Sequence, residues 1–117
     1  MRRKAGTLID IEIAILSAGL LLLSRGEEEF HGYQLAREIK MANGDRYRTA
    51  AGTLYRALDR MEAAGLLRSD WEDPAASGAE GRPPRRLYRL TPEGEAAYRA
   101  ALKDLPEGAV RPGWQPA

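Results

Sequence analysis

From Ile13 to Leu23 the chain is apolar at almost every position, and the run Ile-Ala-Ile-Leu-Ser-Ala-Gly-Leu-Leu-Leu-Leu has no polar face. Thr7-x-x-Asp10 ahead of it is a helix-start signal and Arg25-Gly26 behind it is a stop, so the pattern predicts a first helix over residues 7–24. A helix apolar around its circumference needs cover on more than one side, and a domain this small is expected to borrow part of that cover from a second subunit. Ala14, Ala18 and Gly19 are small enough to let another helix approach closely.

The pattern then becomes amphipathic. Leu35 and Ile39 stand at i, i+4 within Phe30–Met41, and Asn43-Gly44 suits a helix C-terminus, which predicts a second helix. After a short turn, Leu54, Leu58 and Met61 repeat at i, i+4, i+7 with Thr53, Arg56 and Arg60 on the opposite face, which predicts a third helix closed by Gly65. The period changes to two where Leu67, Ser69 and Trp71 alternate with Arg68, Asp70 and Glu72, and again where Arg86, Tyr88 and Leu90 alternate with Arg85, Leu87 and Arg89. Between these strands, Asp73–Gly81 has the composition of a loop. Thr91-Pro92, a cap followed by proline at the first helical position, starts a last helix running to about Leu105. Residues 1–6 read as a flexible basic arm, 7–105 as one domain and 106–117, rich in Pro and Gly, as a flexible tail.

Helix, basic loop and ribbon in this order define a mainly α fold with a small β-hairpin, the winged helix-turn-helix. Net charge adds nothing to that reading, because 18 Lys plus Arg nearly cancel 17 Asp plus Glu. Distribution does add to it. Arg2, Arg3 and Lys4 open the chain; Arg46, Arg48, Arg56 and Arg60 surround the third helix; and Arg82, Arg85, Arg86 and Arg89 fill the hairpin. A local basic face is enough to neutralise phosphates and release their counterions. The absence of Cys removes disulfides, thiolate metal sites and cysteine nucleophiles and suits a reducing cytoplasm. The apolar run is shorter than the roughly 18 residues a spanning helix wants, and Leu22–Gly26 offers no signal-peptidase site, so neither a membrane span nor a secreted protein is expected.

Individual side chains admit two readings each. Thr53, Arg56 and Arg60, flanked by Tyr55, can donate to phosphates, and Arg56 can address guanine O6 and N7; the same residues could form a merely solvated face. Arg82, Arg85 and Arg86 beside Pro83-Pro84 make a stiff cationic loop suited to a DNA backbone, or else an ordinary charged turn. Tyr33 and Gln34 open the second helix, where free N–H groups could meet a phosphate; Tyr33 could equally be a core ring. Arg48 and Thr49 complete the candidate DNA-contacting set just ahead of the third helix. His31 is the only histidine, so a turn or capping role is expected of it rather than metal ligation. Trp71 is expected in the core, and Trp114 stands without an obvious role in the tail. No Ser-His-Asp set, phosphate-cradling glycine loop or H-E-x-x-H occurs, so no enzyme, cofactor or metal is expected.

His31-Gly32-Tyr33-Gln34-Leu35, Gly52-Thr53-Leu54-Tyr55-Arg56-Ala57-Leu58, Glu62-Ala63-Ala64-Gly65-Leu66-Leu67 and Gly81-Arg82-Pro83-Pro84-Arg85-Arg86-Leu87-Tyr88-Arg89-Leu90-Thr91 resemble, in order and spacing, the PadR family of transcriptional regulators. The similarity extends from about Thr7 to Leu102. It implies a homodimeric repressor on double-stranded DNA, paired through its first and last helices (7–24 and 92–105), with a small-molecule effector between subunits in some members. Ile11, Ile15, Ala18, Leu22, Tyr98 and Leu102 are the interface positions this implies. Ala50-Ala51 replace the Ser-Pro common in the family, which moves the expected cap of the third helix to Thr49, and the short last helix matches the family's small subgroup. A pseudo-palindromic operator would place two recognition helices roughly 34–36 Å apart. Two competing readings are a winged-helix module for protein partners and a small ligand carrier or enzyme; the charged third-helix face opposes the first, and the missing nucleophile and acid–base pair oppose catalysis.

Overall fold

The computed structural model describes residues 8–43 and 51–105. Their elements run α1 (Asp10–Ser24), α2 (Gly32–Asn43), α3 (Ala51–Ala63), β1 (Leu67–Trp71), α4 (Pro74–Ala79), β2 (Arg86–Leu90) and α5 (Pro92–Lys103). The mainly helical architecture with one antiparallel hairpin is the expected one. β1 and β2 pair from Leu67 opposite Leu90 to Trp71 opposite Arg86. Phe30, expected to open the second helix, instead forms a one-residue bridge to Tyr88, giving and receiving backbone hydrogen bonds of 3.0 and 2.7 Å, and so flanks the open edge of β2.

Helix α1 is the axis of the domain and packs against α2, α3, α5 and β2. These neighbours cover most of its apolar circumference, leaving Ile13 and Ala14 partly covered and Leu23 exposed. Ile11, Ile15, Leu16, Ala18, Leu20 and Leu22 are all buried, as are Tyr98 and Leu102 of α5. The six positions assigned to self-association are buried within the single chain, because that part of the α1 circumference faces its own neighbouring elements. Leu54, Ala57, Leu58 and Met61 bring the buried stripe of α3 to the same core. No helix among the described residues is long and apolar enough to cross a membrane.

The ends of the helices show which local signals acted. Helix α1 starts at Asp10 rather than at residue 7, and Thr7 lies outside the described residues. Its capping comes from Glu12, whose Oε1 accepts the Ile9 N–H at 3.1 Å, one of the donors a helix start leaves without an intrahelical partner. Thr91 caps α5 as expected, its Oγ1 accepting from the Gly94 N–H at 3.0 Å while donating to the Gly65 carbonyl at 2.7 Å. Gly94 is required there, since a Cβ would lie 2.2 Å from the Leu66 carbonyl oxygen. The stretch Asp73–Gly81, expected as plain loop, contains α4: Asp73 accepts from the Ala75 N–H at 2.9 Å and Pro74 takes the first helical position. Trp71, expected in the core, is 67% exposed, because β1 carries it out along the hairpin to lie beside Arg86.

Candidate nucleic-acid interface

The side of α3 opposite its buried stripe exposes Thr53, Tyr55, Arg56, Asp59 and Arg60. Among the described residues Arg56 reaches only the neighbouring Thr53 hydroxyl, at 3.4 Å. Arg60 differs. Its Nε donates to Glu12 Oε2 at 2.9 Å, and the Glu12 side chain is only 3% exposed, so Arg60 serves to compensate a buried carboxylate. Tyr55 lies against Gly32, where a Cβ would come within 2.5 Å of the phenolic oxygen; glycine at this position lets the start of α2 meet α3.

At the start of α2, His31 occupies the capping position. Its Nδ1 lies 3.3 Å from the Gln34 N–H, and Gln34 Oε1 accepts the His31 N–H at 2.9 Å, a capping box built with imidazole in place of a hydroxyl. The Gln34 carbonyl oxygen is thus committed to the chain itself. Tyr33 is 72% exposed, which removes the core reading, and its ring stacks on His31 with centroids 6.2 Å apart. Four and seven residues beyond Tyr33, Arg37 and Lys40 are also exposed; sequence reasoning missed both, although the i, i+4, i+7 spacing was available to show them on one face.

The hairpin divides its arginines into held and free. Arg82 grips Glu72 with two guanidinium nitrogens, Nη2 lying 2.9 Å from Oε2, and donates from Nε to Glu80 at 2.7 Å. Hydrogen bonding from Arg82 is the main reason the Glu72 carboxyl is held down to about 2. Arg86 turns toward α3: Nε donates to Ser69 Oγ at 2.8 Å, Nη2 to Glu62 at 3.2 Å, and its guanidinium lies 5.7 Å from the centre of the Trp71 ring. Arg85 is exposed, with Nη1 3.1 Å from His31 Nε2. Burial first, then the charges of Arg85 and Arg82, lower the proton affinity of His31 against the weaker pull of Glu72 and Glu27.

Tyr55 on Gly32, His31 on Tyr33 and Arg85 on His31 join α3, α2 and the returning limb of the hairpin into one continuous exposed face. Arg56, Arg85, Arg37 and Lys40 form no ion pair among the described residues, whereas Arg60, Arg82 and Arg86 do. Arg48, Thr49, Arg46, the basic arm and Trp114 lie outside the described residues. Glu12, Glu62 and Glu72, which set these roles, act across 48, 24 and 10 residues of chain, beyond the reach of helical or strand periodicity.

Two helices followed by a hairpin, with exposed cations on the second of the two and on the ribbon, are the parts of a winged-helix DNA-binding protein. The chain belongs to the PadR-like family of transcriptional regulators, whose model matches residues 20–100. It is 40% identical over 88 residues to the transcriptional regulator Rv3488 of Mycobacterium tuberculosis, covering 73% of this chain and 74% of that protein. A PadR family transcription regulator from Clostridium difficile superposes with a TM-score of 0.61 at 27% identity, covering 80% of this chain and 84% of the other. Bacillus subtilis PadR, solved in complex with operator DNA, shares the fold at 20% identity with a TM-score of 0.60, covering 86% of this chain and 54% of that one.

Proposed function

We propose that this regulator represses transcription as a homodimer on a pseudo-palindromic operator, and that a small molecule releases it. The observation that carries the DNA-contact assignment is the contiguous face on which, among the described residues, Arg56 and Arg85 form no ion pair while Tyr33, Thr53 and Tyr55 lie beside them. Arg56, with Thr53, addresses the major groove; Arg85 lies on the flanking backbone; Tyr33 and the Gln34 amide meet phosphates at the start of α2; and Arg48 and Thr49 extend the contact ahead of α3. Arg60, Arg82 and Arg86 support these contacts by bracing the elements that carry them.

The second copy lies against the outer edges of α1 and α5, where Ile9 and Leu23 remain exposed and Ile13, Ala14 and Leu105 only partly covered. An effector site near α2 has a physical basis in an open groove of about 320 Å³ lined by Leu22, Arg25, Gln34, Arg37, Glu38 and Met41, since a ligand there would touch the helix that carries Tyr33. The deciding experiment is a gel shift on the protein's own upstream region with shuffled competitor DNA, paired with sedimentation of the free protein. A retarded band that resists competitor, from a protein sedimenting as a dimer, is the expected result. A monomer with equal affinity for both DNAs overturns the proposal.

A further inference from the structure

His31 is placed in a way that capping alone does not explain. A neutral imidazole has one nitrogen that accepts and one that donates, and an imidazolium only donates. Both nitrogens of His31 face donors: Nδ1 the Gln34 N–H at 3.3 Å, Nε2 the Arg85 guanidinium at 3.1 Å. One bare nitrogen cannot serve both. If Nδ1 stays bare and keeps the helix capped, Nε2–H and the guanidinium confront each other as two donors, and what the pair lacks is an acceptor. The other charged and titratable groups around the ring are Arg82 and Glu72 from the hairpin, Glu27 from the link after α1 and the stacked Tyr33 of α2. With two arginines on one side and a helix N-terminus beneath it, the ring is held neutral, since a positive charge at that end of a helix is unfavourable.

We propose that His31 is itself a DNA-contacting residue, a neutral Nε2–H donor that shares one backbone phosphate with Arg85. This deepens the function proposed above and rests on the assignment of Arg85 to the duplex backbone. A phosphate oxygen received by both groups replaces a donor–donor confrontation with two charge-assisted hydrogen bonds, while Nδ1 continues to cap α2. The arrangement differs from a cationic histidine in a measurable way. A neutral donor releases no counterion, so its removal lowers affinity without altering the dependence on salt.

The test uses the full chain and a retarded promoter fragment, with His31→Asn as the principal variant, because asparagine is a good helix cap but too short to replace Nε2–H. The expected result is an unchanged melting temperature, affinity lowered about tenfold per subunit, and a salt slope equal to that of the parent. Arg85→Ala is expected to lower the slope by about one, and adding His31→Asn to it should cost little more, since the shared phosphate is already lost. Unchanged affinity in His31→Asn overturns the proposal. So does a slope reduced by about one, which would mark a charged imidazole, or a full tenfold loss persisting in the Arg85→Ala background, which would mark separate phosphates. Should His31→Asn melt early, His31→Ser, a helix cap with no donor at the Nε2 position, distinguishes lost capping from lost contact in the same cycle: parental stability with lowered affinity supports the seat, and parental affinity refutes it. If Arg85→Ala leaves affinity and slope intact, the backbone assignment of Arg85 fails, and the shared-phosphate seat fails with it; an affinity loss in His31→Asn alone would then mark an independent contact.

Discussion

The two halves of α3 carry the same kind of residue and put it to opposite uses. Arg56, in the first half, lies on the surface and among the described residues bonds only Thr53, whereas Arg60, one turn later, is bound to a carboxylate buried in α1. The hairpin repeats the contrast, with Arg85 exposed and Arg86 drawn inward to Ser69 and Glu62. An arginine with a buried or cross-strand acid opposite it maintains the fold; one without such a partner still has its charge to offer a ligand. Counting arginines therefore overstates the proposed DNA-binding surface, and pairing them with their acids narrows it.

The largest effect that would break this division is expected from Arg60→Ala. Removing it leaves Glu12 buried without that partner, which should cost about 2 kcal/mol of stability in urea unfolding, less than a fully buried pair because the Arg60 side chain is itself 44% exposed. Arg60→Ala combined with Glu12→Gln should recover part of that loss, and if the single variant is as stable as the parent, the supporting role of Arg60 is wrong. Arg56→Ala should do the reverse, leaving the unfolding curve in place while weakening operator binding by roughly 1–3 kcal/mol if it reads a guanine. Arg86→Ala lies between them, with a stability loss of about 1 kcal/mol, its acid partner being only partly covered, and no change in salt slope at the promoter. A changed slope would transfer Arg86 to the DNA-contacting group.

The smallest expected effect concerns acid. Glu72 falls from the ordinary carboxylate range of 4.5 to about 2 on folding, so the folded hairpin favours its ionised form. That contribution is fully present above pH 4.5 and disappears as pH falls through about 2. Proteolysis of the hairpin by an acid-tolerant protease should accordingly be slow at pH 4 and faster toward pH 2, and in Glu72→Gln the step should vanish.

Elements with a strong local rule could be read from the sequence. Thr91-Pro92 fixed the start of α5, and the i, i+4, i+7 spacing of Leu54, Leu58 and Met61 fixed the buried face of α3. The order of motifs placed helix, loop and ribbon correctly for the family. What sequence could not supply was the identity of distant neighbours. The apolar circumference of α1 is the same whether a second subunit or α2, α3, α5 and β2 surround it, and only the fold decides. The role of an arginine likewise depends on acids far away along the chain, whereas the turn or capping role expected of His31 is the one it takes. Trp71 alternates in phase with Leu67, yet the strand outruns the body that would have covered it.

Helix α3 is held at two points by different chemistry: Tyr55 rests in the gap left by Gly32, and one turn further on Arg60 is moored to Glu12 of the central helix. A rod fixed in this way tilts rather than slides. A small axial displacement of α1 would pull on the moored end while the other stays seated, changing the pitch at which Arg56 is presented and giving the core mechanical leverage over that exposed side chain.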